Sequence, residues 1–410
     1  MIDRFNPRLP EVSRDLIGDR TVPRIVVGQL SSPSGLGQSA RLAAAALKND
    51  GYRVLGLDIC RLFREVSGSI VHGLADARGH RGPAHVVLVV NARYAPYALV
   101  WLGDAFLKDK LVTGYWTWEL SRLPHNWDHG VGVVHAIAVP SLFTASAVCA
   151  SNGGRPVQVC PHPVALDHPP LSPFASGAAR PNGPFTVVSM LSLRSGFERK
   201  NPVGLIRAFR LAFGNRRDCR LRLLVTGAAH CPQGRAAILT AVGRAANIEV
   251  AWKPLTREQL YAWWDSPDIY ALLHRSQGFG LPLAEAMAAG TPVVATGWSG
   301  NMDFMTERNS FPVRFRLCDV VDPQRKHATS EGQWADPDVE HAAELLQLLA
   351  ARPDLVREVG KTAHRAIHVR LTGQNFCRNL LGTCPTAGLP NEAPPCQRPV
   401  GAHRRARPRL

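Results

Sequence analysis

Apolar residues in this chain fall into short unbroken runs that alternate with longer segments where they recur at helical spacing. The runs at 24–30, 84–90, 110–116, 136–140 and 157–160 predict strands. A helix is predicted from the Ser34-Gly-Leu-Gly37 turn through Leu47. A second series follows at 185–191, 221–226, 248–252, 269–273 and 292–296. Between its first two runs, Asn201 is placed to cap a helix whose first residue is Pro202, with Leu205, Phe209 and Ala212 on one face. Unbroken apolar strands alternating with helices predict α/β domains with parallel sheets covered on both faces.

The two series are separated by 166–184, a stretch crowded with proline and small residues that reads as a linker. The expected organisation is an N-terminal arm (1–22), a Rossmann-like domain (23–165), the linker (166–184) and a second Rossmann-like domain (185–370). An irregular, disordered basic tail (371–410) follows. Two such domains would face each other across a cleft lined by the carboxyl ends of their strands.

Composition narrows the partners. At 410 residues, with 45% apolar and 20% charged positions, the chain is an ordinary globular protein large enough for two cores. Its nine cysteines include no Cys-x-x-Cys pair, which fits buried thiols in a reducing, cytoplasmic compartment and argues against a disulfide scaffold or zinc site. The N-terminus lacks the apolar core of a signal peptide. The longest span without Asp, Glu, Lys or Arg, 129–154, is interrupted by His135, Pro140 and Asn152 and reads as a strand plus a helix, not a membrane span. The net charge of +16 favours anionic partners, a lipid surface among them. Part of it is local, since Arg398, Arg404, Arg405, Arg407 and Arg409 crowd the end. No zinc-finger, RNP or basic-zipper pattern points to a specific nucleic-acid partner.

The densest chemistry lies at 275–296. Gly278 and Gly280 are expected to leave backbone N–H groups open to a ligand, Pro282 to open a helix, and Glu285 to sit in its first turn at the positive end of the dipole. Gly290 ends the helix before the 292–296 strand. Amides feeding a helix N-terminus bind anions, and a nearby carboxylate accepts hydrogen bonds from sugar hydroxyls. A nucleotide-sugar diphosphate suits both.

Over residues 24–365 the chain resembles the family 4 (group 1) retaining glycosyltransferases of the GT-B fold. The carriers are Gln277-Gly-Phe-Gly-Leu-Pro-Leu-Ala-Glu285, Ser34-Gly-Leu-Gly37, Gly114-Tyr-Trp-Thr-Trp-Glu119, Val139-Pro-Ser-Leu-Phe-Thr144, Glu198-Arg-Lys-Asn-Pro202 and Gly297-Trp-Ser-Gly-Asn301. The resemblance implies that Glu285 accepts hydrogen bonds from the nucleotide ribose, and that amides around Gly278, Phe279, Gly280 and Leu281 meet the donor's sugar and phosphate. Arg199 and Lys200 match the basic pair that neutralises the leaving diphosphate, with Arg194 a weaker candidate for the same duty. Gly35 and Gly37 resemble a loop that closes over the donor phosphates, though their spacing suits a plain tight turn equally. Glu119 could orient an acceptor hydroxyl or be a buried structural carboxylate. Trp116 and Trp118 fit core packing better than sugar stacking, and His162 reads as structural. Where the family usually has glutamate near the reacting carbon, this chain has Gln277, whose amide forms hydrogen bonds but brings no negative charge.

The implied activity is transfer of a hexose, mannose among the candidates, from a nucleotide sugar to a glycan or lipid-linked acceptor with retention of configuration. Cell-surface polysaccharide or lipopolysaccharide synthesis is the implied setting, with peripheral contact at an anionic inner membrane face. The alternative is a catalytically weakened or inactive nucleotide-sugar-binding protein. The nucleotide sugar is a substrate, so no cofactor is expected. No metal is expected either, because an Arg/Lys pair with a helix dipole can replace the cation, and the sole Asp-x-Asp, at Asp336 and Asp338, reads as part of a polar loop rather than a strand end.

Overall fold

The computed structural model describes residues 9–63, 70, 72–164, 183–252, 259, 263, 267–327 and 332–382. The linker up to residue 182 and the tail from 383 onward, with its arginines, lie outside the described residues. Seven parallel strands form the first sheet: β1 (Arg24–Gly28), β2 (Val54–Asp58), β3 (Ala75–Asp76), β4 (Ala84–Val89), β5 (Lys110–Tyr115), β6 (Ala136–Val139) and β7 (Val157–Val159). Their spatial order is β3-β2-β1-β4-β5-β6-β7. The second sheet, also parallel, holds β8 (Phe185–Ser192), β9 (Cys219–Thr226), β10 (Ile248–Ala251), β11 (Ile269–Leu272), β12 (Val293–Thr296) and β13 (Phe311–Val313), ordered β10-β9-β8-β11-β12-β13. An antiparallel hairpin, β14 (Phe315–Asp319) with β15 (Gln333–Pro337), follows.

The strands that read as unbroken apolar runs are those covered on both faces: every residue of β1, β4, β5 and β12 is buried. Strands β2, β13, β14 and β15 escaped sequence reading because they are short and carry glycine, proline or charge. In both sheets the order reverses beside the first strand, between β1 and β4 and between β8 and β11. Ligands of open α/β sheets bind at such switch points, outside the strands' carboxyl ends.

The helices are set by local chemistry. Ser34 caps helix Gly35–Asn49 through the Gly37 N–H at 3.1 Å, and Leu42, Ala43, Ala46 and Leu47 are buried. Asn201, at φ 47°, caps helix Pro202–Phe213 as expected. Helix Pro353–Arg370 buries Val356, Val359, Ala363 and Ile367 in the second domain. The chain then crosses back, and helix Gly373–Leu380 sets Phe376, Cys377 and Leu380 against Ala43, Ala44 and Leu47 of the first domain. This helix occupies part of the stretch whose sequence reads as irregular. Eight residues carry too little periodicity to announce a helix, and docking stabilises what length alone would not.

Asp336 and Asp338 are also placed differently from expectation. Asp336 lies inside β15 and pairs with Arg275 at 3.4 Å, while Asp338 caps helix Val339–Ala351 through the His341 N–H. Both carboxylates are engaged in structure rather than lying in a loop. Among the described residues, no helix is long and apolar enough to cross a membrane.

Candidate functional site

The 275–296 segment is first of all a junction between the domains. Gly278 does lack room for a side chain, but the group pressing on it is protein: a Cβ there would lie 2.9 Å from the Trp118 carbonyl oxygen. Its own carbonyl accepts hydrogen bonds from Ser141 Oγ (2.6 Å) and Thr144 Oγ1 (3.3 Å) of the first domain. Ser141 also caps helix Leu142–Cys149 through the Thr144 N–H. Asp303 of the second domain accepts from the Leu142 N–H of that helix at 2.7 Å. The missing Cβ of Gly278 thus makes space for the opposite domain's backbone, a constraint separate from the expected exposure of its amide.

Beside this junction, four predicted residues meet. Arg199, on the Phe197–Lys200 turn after β8, is buried and donates to the Ser276 carbonyl (2.8 Å) and the Ser195 carbonyl (2.7 Å). Its guanidinium also lies 3.6 Å from Glu119, on the loop after β5 of the other domain. Lys200 Nζ donates to Gln277 Oε1 at 3.1 Å. The Gln277 backbone N–H is held by Ser299 Oγ at 2.8 Å, which fixes where the amide can reach. Its Nε2 is buried with no hydrogen-bond partner among the described residues.

Electrostatics follow from this crowding. Burial opposes ionisation of Glu119, yet Arg199, His327 and Lys200 outweigh it and hold the carboxyl at about 2. Burial, aided by the Arg199 charge, lowers Lys200 to about 7 despite Glu119. Gln277 accepts from the ammonium through a neutral amide and adds no negative charge beside it. His327 also faces Glu119, at 3.3 Å. No motif announced it, because it stands in a polar stretch between β14 and β15 whose only signal is its three-dimensional placement.

The donor-binding candidates are distributed along the adjoining loop. Gly280, at φ 99°, is the N-cap of helix Leu281–Ala288, a backbone few other residues tolerate. Leu281 is the first helical residue, so Pro282 is the second and Glu285 lies beyond the first turn. The dipole argument for Glu285 weakens accordingly, and burial raises its carboxyl to about 7. The Phe279 ring is buried against His162 (4.9 Å) and Phe304 (5.0 Å), so only its backbone is on offer. His162 bonds Tyr115 at 3.0 Å and approaches Ser39 at 3.4 Å, with burial lowering it to about 3. It is a neutral packing link between the first helix and the loop that carries Phe279. Gly37 is required there, since a Cβ would collide with the Ser32 and Gln29 carbonyls, whereas a Cβ at Gly35 meets nothing. Arg194 packs its stem against Gly227. Trp116 and Trp118 are buried core residues.

Glu285 has a measurable signature. An unfolded glutamate ionises near 4.3, whereas folded Glu285 does so at about 7. The folded state thus keeps a proton that the unfolded state releases. This contribution to stability is full below about pH 4 and is lost as pH rises through 7. Glu285→Gln, which cannot ionise, is expected to gain several degrees of Tm over wild type at about pH 9 and little at about pH 4. An equal difference at both pH values would contradict the assignment.

Comparison with known proteins agrees with this architecture. Residues 185–322 match a family model described as glycosyl transferases group 1. A 102-residue stretch is 33% identical to a D-inositol 3-phosphate glycosyltransferase of Pseudarthrobacter chlorophenolicus, covering 25% of this chain and 24% of that protein. Among solved structures, Anabaena HepE in complex with UDP and glucose superposes with a TM-score of 0.60 at 13% identity, over 88% of this chain and 98% of that one. The lipopolysaccharide outer core galactosyltransferase WaaB gives 0.57 at 12% identity, over 87% and 98%. Staphylococcus aureus TarM gives 0.52 at 12% identity, and the chain spans only 54% of its length. At these identities the structural matches show the fold, which is GT-B.

Proposed function

We propose, from the premise that its C-terminal domain belongs to the group 1 glycosyl transferases, that this protein transfers a hexose from a nucleotide sugar to a glycan or lipid-linked acceptor. The observation that carries the reading is the cross-domain meeting of Lys200, Arg199, Gln277 and Glu119 at the carboxyl ends of both sheets. Glu285 and the amides from Phe279 to Leu281 take the nucleotide ribose and the donor phosphate. HepE and WaaB, which share the fold, are respectively seen with UDP and glucose and named for galactosyl transfer.

In the proposed reaction the bond between the sugar's anomeric carbon and the diphosphate breaks, and negative charge grows on the leaving oxygen. Lys200 stabilises it as the ammonium, a form that the growing negative charge favours, while Arg199 holds the Ser195 and Ser276 carbonyls that shape the loop. The acceptor oxygen attacks from the face the diphosphate leaves. Its proton passes to a leaving phosphate oxygen, so configuration is retained without a metal ion. Glu119 orients the acceptor hydroxyl. The unpaired Gln277 Nε2 is the donor group for a sugar hydroxyl.

Gln277 itself favours a second reading, a protein that binds donor but turns it over weakly. Both readings are tested by incubating the protein with a panel of nucleotide sugars and acceptors and measuring released nucleoside diphosphate. Release by wild type that disappears in Glu285→Ala supports the transferase. Tight donor binding without release, converted to release by Gln277→Glu, supports the second reading. Absence of both binding and release would overturn the two together.

A further inference from the structure

His327 is built into the cleft more tightly than a loop residue needs to be. Its imidazole lies between two carboxylates from different domains, with Nδ1 3.4 Å from Asp322 Oδ2 and Nε2 3.3 Å from Glu119 Oε2. Asp322 is fixed in turn by the N–H groups of Gln324 (3.1 Å), Lys326 (2.7 Å) and His327 (2.9 Å). The ring stands near Trp118 (5.4 Å) and Trp334 (6.1 Å) and is 4% exposed. Both nitrogens are thereby engaged. Glu119 has one oxygen toward His327 and the other 3.6 Å from Arg199.

We propose that His327 is a positioning residue, which as an imidazolium bridging Asp322 and Glu119 holds the Glu119 carboxylate in place beside Arg199. The role rests on the function proposed above, in which Glu119 orients the acceptor hydroxyl. An imidazolium donates from both nitrogens and satisfies both carboxylates. A neutral ring must aim one lone pair at a carboxylate, which loosens either the loop or Glu119. Three charged groups face the ring: Asp322 on its own loop, Glu119 from the β5 loop, and the opposing Arg199 guanidinium from the turn after β8. Burial works against the charged ring, but the hydrogen bonds to Asp322 and Glu119 prevail and raise its pKa above the ordinary histidine value. Raising the pH through that range would then release Glu119 while leaving the donor loop intact.

The test uses the full chain and two readouts. The His327 ring is titrated by NMR in wild type and in Glu119→Gln. The midpoint is expected to fall by about one pH unit in the variant. In the diphosphate-release assay, His327→Gln is expected to lower kcat or raise the acceptor KM by roughly ten- to a hundredfold. Binding of free nucleoside diphosphate should change less than about twofold, and the alkaline limb of the release profile should change shape, keeping only the fall that Lys200 contributes. An unchanged midpoint in Glu119→Gln, or a His327→Gln enzyme with wild-type acceptor KM and pH profile, would overturn the proposal. Should wild type release nothing from any donor, the transferase reading fails, and the NMR titration still decides whether His327 and Glu119 are coupled.

Discussion

Lys200→Ala is expected to lower nucleoside diphosphate release by roughly 10²–10³-fold, the usual effect of removing one preorganised group from a developing negative charge. Lys200 is only partly buried, and its ammonium spends one hydrogen bond on Gln277. It is therefore the cation in the cluster with capacity left for a phosphate. Arg199→Ala should behave differently. Arg199 is 3% exposed, and its terminal nitrogens hold the Ser195 and Ser276 carbonyls and Glu119. Removing it leaves those buried acceptors without their donors, so thermal stability should fall together with release. The pair separates on two measurements, kcat/KM and Tm. A Lys200→Ala enzyme with wild-type kcat/KM would remove Lys200 from the proposed mechanism.

Gly300→Ala is expected to cost about 1–3 kcal/mol, the range for overpacking a filled interior. A Cβ at Gly300 would overlap the Gly278 carbonyl oxygen and stand 2.9 Å from Ser141 Oγ. Relief is difficult, because Gly278 is itself pressed against the Trp118 backbone and its carbonyl is held by Ser141. The strain thus falls on the domain junction. Gly35→Ala provides the contrast, since a Cβ there meets no neighbour and should change stability by no more than about 0.5 kcal/mol. Thermal unfolding of both variants checks the pair. Equal Tm values would show that the junction yields freely.

Much of the fold was legible because its physics is local. Runs such as Val86-Val-Leu-Val89 can be buried on both faces only inside a parallel sheet, and Asn201-Pro202 states a helix start in two residues. The association of Arg199 and Lys200 with Gln277 was expected only through the resemblance of their motifs to a known family. The purpose of Gly278 was not legible, since a glycine reports that something comes close without saying what. Helix Gly373–Leu380 and the strand position of Asp336 were hidden for a related reason: each depends on the surface it docks against.

The sequence by itself determined two parallel-sheet domains and the loop, helix and strand order of 275–296, because burial periodicity and capping act over a few residues. Only the tertiary structure decided that this loop is also the clasp between the domains. It likewise decided that Glu119 reaches Arg199 from the opposite sheet and that His327 joins them. Ser141 and Gly278 are 137 positions apart, and His327 and Glu119 are 208 apart. Contacts of that range form only after both sheets have brought their carboxyl ends together, and no local pattern encodes the distance between them.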